Sequence, residues 1–438
     1  MSEKKQEKKT ETKAVKKELA SPRGMRDISG DTYYQFQGFF EKAQEVAMYY
    51  GFKPYETPIL EFEEVFTGTI GEGTDIVDKE MYTLRTKGGD KLALRPEHTA
   101  SLMRAYIEHG MQSLPQPLMW YQYGPTFRHD NPQKGRYRQF YQFDLDVLGS
   151  EKSIVDALVI KTAITILEEA GAKNLTVDIN SIGDKDCRNA YVRELTNYYK
   201  KHLDKLPAID KERLKTNPLR ILDSKEEKTK EINEDAPAAV ASLCPACKRH
   251  FKEVLEYLES MEVNYTINKN LVRGLSYYTR TVFEIIEVGD ENTPSMAIAG
   301  GGRYDYLAKN LGAKKDIPAM GMAIGVDRIV EAPWYAKLAP RIMKKPKFYF
   351  IQLGFEAKLK SLNVLEILRK AHIPIMQELS KDSLGAQLGV AEKSEVPYAL
   401  ILGQKEALED AVIVRDMTTR SQETIKIAKL AEYLKKLK

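Results

Sequence analysis

Cysteine is scarce in this chain: Cys187, Cys244 and Cys247 are the only three among 438 residues. Three thiols cannot build the paired framework that staples small secreted domains. Long apolar runs are missing as well. A bilayer-crossing helix needs roughly twenty consecutive apolar residues; no such run occurs, and no secretory h-region is visible. The chain therefore reads as soluble and cytoplasmic, with no membrane partner. Neither sign of charge dominates: 67 Lys and Arg against 63 Asp and Glu leave a net charge of +4. An electrostatic case for nucleic acid must then rest on local patches. The two common phosphate loops, the Walker A sequence and the Rossmann glycine fingerprint, do not occur. Nor do the six histidines show a nucleophile–base spacing that would mark a hydrolase triad. If a nucleotide is bound, neither of these loops holds it, and an arginine-based site is the better expectation.

What is present is enough chain for two or three packed domains, since 438 residues with 42% hydrophobic content exceed one ordinary core. Residues 1–20 form a lysine-rich tail interleaved with glutamate, which reads as solvated and flexible, with a phosphate-attracting RNA arm as the alternative. A helical pattern covers about 32–50 and stops at Gly51. Residues 53–60 contain Pro54 and Pro58 and predict an edge or irregular strand. Strands over 81–86 and 91–95 flank Lys87-Gly88-Gly89-Asp90 and predict a hairpin. A helix over 98–109 follows, then strands over 118–128 and 137–148 joined by a polar, basic loop. Short connections between neighbouring strands imply an antiparallel sheet.

From about 184 to 261 the chain turns helical, charged and cysteine-bearing, in the manner of an insertion. Strands resume at Tyr265 and are expected over 271–286 and 295–299; 319–325 leads into a helix near Val326. This first domain spans 21–335, and a linker, 336–345, precedes a second at 346–438. There, strands at 348–353, 374–378, 398–402 and 412–415 alternate with helices, predicting a small α/β domain with a mostly parallel sheet. The fold class is thus α+β: a large antiparallel-sheet domain with a helical insertion, then a compact α/β module.

The most informative segment is 137–148. Its alternation separates Tyr141, Phe143, Leu145 and Val147 from Arg138, Gln142, Asp144 and Asp146. The polar face of an antiparallel strand is ordinarily solvated. Here Arg128 and the loop Gln133-Lys134-Gly135-Arg136 add guanidinium and ammonium donors beside those carboxylates. Arginine forks suit phosphate oxygens, and acids suit magnesium or an amine, so the mixture predicts a site for an anionic nucleotide and a cationic small molecule. Gly300-Gly301-Gly302 reads as a glycine-rich turn that a ligand can approach closely. Cys244 and Cys247 with His250 offer three metal ligands where a closed zinc site needs four, so they read as ordinary thiols.

Several strings resemble histidyl-tRNA synthetases, class II aminoacyl-tRNA ligases, across nearly the whole chain. They are Pro22-Arg23-Gly24-Met25-Arg26-Asp27; Leu94-Arg95-Pro96-Glu97-His98-Thr99-Ala100; Phe127-Arg128 with Gln133 to Gln142; Arg273-Gly274-Leu275-Ser276-Tyr277-Tyr278; Gly300 to Asp305; and Gly321 to Arg328. The resemblance implies a homodimer with the segment 51–58 at its interface, a 21–335 catalytic domain and a 346–438 anticodon-binding domain. It implies that histidine is activated with ATP, accompanied by Mg2+, and transferred to tRNA(His). Arg128, Arg273 and Arg328 would be the catalytic cations, with Arg128, Arg136 and Arg328 on the nucleotide. Glu97, Thr99, Gln142, Asp146, Tyr277, Tyr278, Gly301 and Gly302 would form the histidine pocket. Ser276 departs from the aspartate usual in that family. The alternatives are a noncatalytic histidine-binding paralogue of the ATP phosphoribosyltransferase regulatory type, or a tRNA-sensing pseudoenzyme.

Overall fold

The computed structural model describes residues 19–71, 74, 76–289, 295–341 and 346–437; most of the lysine-rich tail and residues 342–345 of the expected linker lie outside them. These residues fall into two compact units dividing between Pro340 and Arg341. Among the described residues no helix is long and apolar enough to cross a membrane.

The first unit begins with α1 (Gly30–Tyr49). Phe36, Phe39, Phe40, Ala43, Val46 and Ala47 recur at three- and four-residue steps and form its buried face. Gly51, at φ +91°, lets the chain reverse directly after it. The proline-bearing segment makes only the two-residue β1 (Lys53–Pro54), before β2 (Leu60–Phe62) and α2 (Glu63–Ile70). The expected hairpin is β3 (Thr83–Arg85) and β4 (Lys91–Leu94), with β2 paired to the other side of β4. Next come α3 (Thr99–Glu108), β5 (Leu118–Phe127), β6 (Gln139–Leu148), α4 (Ser153–Glu169) and β7 (Leu175–Ser181).

The insertion is helical as expected: α5 (Lys185–Lys201), α6 (Ala208–Thr216), α7 (Glu227–Glu234) and α8 (Pro245–Ser260). Tyr191, Leu195, Tyr199, Leu214 and Ile221 give it a core of its own. The unit closes with β8 (Tyr265–Ile267), β9 (Thr279–Glu287), β10 (Met296–Arg303), α9 (Leu307–Asn310), β11 (Ala319–Gly325) and α10 (Val326–Val330).

Eight strands join in the order β1-β5-β6-β11-β10-β9-β7-β8. The five central pairings are antiparallel, and a short parallel pairing lies at each edge. Phe143, Leu145 and Val147 of β6 pack with the buried faces of α1, α4 and α8 on one side of this sheet. Trp120, Tyr278 and Tyr304 join α2 and α3 in a second cluster. Two expectations need correction. Residues 271–278 are not strand; the chain there runs irregularly, bonded through Leu271 N–H to the Asn268 carbonyl and through Ser276 N–H to that of Ile70, and pairs only from Thr279. Gly300, Gly301 and Gly302 are not a turn but the interior of β10.

The second unit has five strands, β12 (Phe348–Gln352), β13 (Ile375–Gln377), β14 (Tyr398–Leu402), β15 (Ala411–Asp416) and β16 (Gln422–Lys426), in the order β13-β12-β14-β15-β16. Helices α11 (Phe355–Lys370), α12 (Leu384–Lys393), α13 (Gln404–Leu408) and α14 (Ile427–Lys436) complete it. Alternation along β12 sends Phe348 and Phe350 toward α11 and α14, and Tyr349 and Ile351 toward α12. The sheet is mixed rather than mostly parallel: the β12 pairings are parallel, while β14-β15 and β15-β16 are antiparallel. A short turn is enough to join antiparallel neighbours such as β15 and β16, and the exposed, polar β16 carried no apolar alternation to read.

Candidate active site

The polar face of β6 is not solvated. Asp144 and Asp146 are 2% and 1% exposed, which a pair of carboxylates tolerates only with partners close by. His98 Nδ1 lies 2.9 Å from Asp144 Oδ2. Tyr304 Oη donates to Asp146 Oδ1 at 2.6 Å, while Asp146 Oδ2 is buried without a hydrogen-bond partner. Burial raises the Asp146 carboxyl well above its ordinary value, and the neighbouring Asp144 adds to this; the Tyr304 and Thr99 side chains pull the other way.

Glu97 precedes α3 and accepts from the backbone N–H groups of Thr99 (2.7 Å) and Ala100 (2.9 Å). Burial nevertheless raises its carboxyl, because desolvation outweighs those bonds. The Tyr277 hydroxyl reaches Glu97 Oε2 at 3.4 Å. Tyr277 in turn packs on Tyr278, ring centroids 4.8 Å apart.

The glycines of β10 explain how these side chains fit. A Cβ on Gly300 would sit 2.6 Å from Arg273 Nη1, and one on Gly302 would sit 2.9 Å from the Tyr278 ring. Gly321, opposite Asp146 on β11, would put a Cβ 2.2 Å from Asp146 Oδ1. The absent side chains thus leave the floor on which Arg273, Tyr278 and Asp146 lie, a matter of space rather than of backbone conformation.

Beside this cluster opens a cavity of about 490 Å³, lined by Arg128, Arg136, Arg220, Arg273 and Arg328 together with Gln142, Glu80, Glu284 and Gly300. Arg273 pairs with Glu284, and Arg136 with Asp130 at 3.1 Å. Arg128 donates from Nε to the Pro96 carbonyl at 2.9 Å, and Arg328 from Nη1 to that of Ala297 at 2.6 Å. Burial lowers the affinity of both Arg128 and Arg328 for their protons, and Arg136 repels Arg328 further. Five guanidinium groups around one cavity favour a polyanion.

All four arginines expected on the nucleotide side line the cavity, and Gln142 joins them. Glu97, Thr99, Asp146, Tyr277, Tyr278, Gly301 and Gly302 do not line it; Tyr277 and Tyr278 cluster with Tyr304 beyond it, where Tyr304 bonds Asp146 and Tyr277 reaches Glu97. Sequence reasoning missed Tyr304, although it lies in the quoted string 300–305. It also missed His98 as the partner of Asp144, and Arg220, which the insertion brings to the cavity wall with no motif to announce it. Ser276 has a definite place: its hydroxyl donates to the Ile70 carbonyl and its own carbonyl accepts from Arg188 Nη1 at 2.8 Å. It thereby ties α2 to the first helix of the insertion.

A family model described as histidyl-tRNA synthetase matches residues 24–329, and one described as an anticodon binding domain matches 347–437. The histidine–tRNA ligase of Caldicellulosiruptor saccharolyticus is 39% identical over 418 residues, covering 95% of this chain and 99% of that one. That of Dehalococcoides mccartyi is 40% identical over 419 residues, covering 95% and 99%. The crystal structure of apo histidyl-tRNA synthetase from S. aureus superposes with a TM-score of 0.77 at 30% identity, covering 95% of this chain and all of that one (100%).

Proposed function

Because the chain belongs to the histidyl-tRNA synthetase family, we propose that it is a histidine–tRNA ligase: it joins histidine to ATP as histidyl-adenylate and passes the histidyl group to the 3′ end of tRNA(His). The observation that carries this reading is the convergence of Arg128, Arg273 and Arg328 on one cavity, directly beside the buried carboxylates of β6.

In the first step a histidine carboxylate oxygen attacks the α-phosphorus of ATP and pyrophosphate leaves. Arg128 and Arg273 act on the nonbridging oxygens where negative charge grows, and Arg136 and Arg328 hold the nucleotide. Guanidinium groups already fixed by Pro96, Ala297 and Glu284 need little reorganisation. In the second step a hydroxyl of the terminal adenosine attacks the activated carbonyl and AMP leaves. Mg2+ accompanying ATP would be held mainly by phosphate oxygens and water and would neutralise phosphate charge; no side chain is assigned to it.

Glu97, Thr99 and Gln142 are proposed to receive the histidine amino group, and Asp146 and Tyr278 the imidazole, with Gly301 and Gly302 flat against the substrate and Tyr277 behind. Buried oxygens left without partners, Asp146 Oδ2 and Gln142 Oε1, support this assignment. Such groups demand a ligand that bonds them, and a site built so can reject other amino acids by roughly 10⁴-fold without editing.

The second unit, matched to the anticodon-binding model, is proposed to take the tRNA anticodon stem. A homodimer in the cytoplasm belongs to the same proposal. Met48, Tyr49, Ile59, Leu60 and Phe62, all exposed large apolar side chains flanking 51–58, support an interface there. The noncatalytic paralogue is not favoured, because the cavity keeps its arginines and the chain keeps the second unit. The test is charging of unfractionated tRNA with labelled histidine: acid-precipitable label on tRNA(His) alone is the expected result, and no label above the no-enzyme control would refute it.

A further inference from the structure

The insertion leaves the sheet at Asp184 and returns to it through Cys244 and Cys247, and the fold brings both ends together. Asp184 caps α5 by accepting the Cys187 N–H at 2.9 Å, and Cys244 caps α8 by accepting the Cys247 N–H at 3.4 Å. At this root one carboxylate oxygen and three sulfurs, from Asp184, Cys187, Cys244 and Cys247, all lie within 4.8 Å of one another. His250, the third ligand that the sequence offered, is not among them; its Nε2 lies 2.8 Å from Asp156 Oδ2 in the core. Its place is taken by two residues from the other end of the insertion, which spacing along the chain could not reveal.

We propose that Asp184, Cys187, Cys244 and Cys247 bind one zinc ion, a four-coordinate structural site that clamps the two ends of the insertion. Tetrahedral zinc with Zn–S near 2.3 Å and Zn–O near 2.0 Å sets its S···O edges at about 3.5 Å. The Cys247 and Cys244 sulfurs stand 3.3 and 3.6 Å from the same oxygen, Asp184 Oδ2. Two thiols thus direct their protons at one oxygen, an arrangement that a single cation replaces with release of those protons. Apolar packing of three small thiols accounts for Cys187 and Cys247 beside Leu243; it does not account for a carboxylate in their midst.

Two further features suit thiolate rather than thiol. The N–H of Cys244 donates to Cys187 Sγ at 3.1 Å, and the N–H of Cys247 donates to Cys244 Sγ. Two helix N-termini, of α5 and α8, converge on the cluster and favour negative charge. Cys187 and Cys247 are 5% and 1% exposed and Asp184 and Cys244 half-buried; four protein ligands leave no open position on the metal, as in structural zinc sites. Thiolate-rich donors select zinc over magnesium or calcium. The clamp matters to the cavity because the insertion also supplies Arg220 to its wall and Arg188 to Ser276.

The test uses the full chain, purified without chelator or metal-affinity resin, and reads metal directly. Elemental analysis is expected to find about one zinc per chain, released stoichiometrically when the three thiols are modified. Cobalt(II) exchanged into the site should give sulfur-to-metal charge-transfer bands and the intense visible bands of a tetrahedral ion. Asp184→Asn keeps the capping geometry and all three thiols, and should weaken zinc at least about tenfold against a chromophoric chelator. The proposal is overturned if the folded chain holds no zinc and takes up none at micromolar free zinc, or if two of the three cysteines prove to be joined as a disulfide. It is likewise overturned if Asp184→Asn binds zinc as tightly as the unaltered chain.

Discussion

The Tyr304 hydroxyl donates to one oxygen of Asp146 at 2.6 Å and leaves the other oxygen of that buried carboxylate without a partner. Tyr304 therefore fixes which edge of Asp146 is left free for the histidine proposed to bind there. Tyr304→Phe removes the donor and keeps the ring. An unsatisfied buried acceptor costs about 1–3 kcal/mol, so histidine binding measured by calorimetry should weaken by roughly tenfold. Unchanged affinity would mean that Tyr304 only fills space.

Asp146 should also leave a mark on stability. Its carboxyl titrates higher in the folded chain than in the unfolded one, because burial and Asp144 oppose ionisation. The folded state then holds a proton that the unfolded state has released, so stability is fully present below about pH 4 and falls as pH rises toward the folded value. Asp146→Asn removes that loss. Denaturant titrations of both proteins across pH 4 to roughly 8 should show the variant gaining on the parent as pH rises; parallel curves would refute the assignment.

Arg273 sits over the Tyr278 ring, 5.9 Å from its centroid, and pairs with Glu284 at the cavity wall. Losing one fixed donor to a developing oxyanion commonly costs about 10² to 10³ in rate. Arg273→Ala should lower the rate of adenylate formation by that order while histidine affinity changes by less than about threefold. Single-turnover kinetics separate the two; a loss confined to affinity would move Arg273 from the reacting phosphate to the amino acid.

Much of this layout was legible in the chain, and the gaps have physical causes. Gly51, Gly88-Gly89 and Gly110 marked element ends because their positive φ or turn chemistry is local. Strand β11 and the start of α10 were legible because apolar patterning changes period at Val326. The glycines of β10 misled: local chemistry says turn, whereas the space needed by Arg273 and Tyr278 comes from elsewhere in the chain. Partners such as His98 for Asp144, Asp184 for the cysteines and Arg220 for the cavity are fixed by tertiary approach, which no spacing encodes. Residues 271–278 read as strand from Leu271, Val272, Tyr277 and Tyr278, yet those side chains serve two separate clusters.

Arg303 is fully buried (0% exposed) and is held by Asp156 at 2.8 Å and Asp305 at 2.9 Å, with the Ser150 and Lys152 carbonyls taking its remaining fork. It anchors the end of β10 to α4. Arg303→Met takes the guanidinium from two buried carboxylates, leaving Asp156 with His250 and Asp305 with the Ala319 N–H and Arg280; breaking a buried pair costs about 3–5 kcal/mol. Urea denaturation should report that decrease. Adding Asp305→Asn should recover part of it, and no recovery would argue that packing rather than charge is responsible.

The central claim is that this cavity makes histidyl-adenylate. Histidine-dependent exchange of labelled pyrophosphate into ATP tests it most directly, run on the unaltered chain with a panel of the other amino acids and with Arg273→Ala. Exchange with histidine alone, lost in the variant, is the predicted result. No exchange with any amino acid, from a folded chain that still binds histidine, would contradict it.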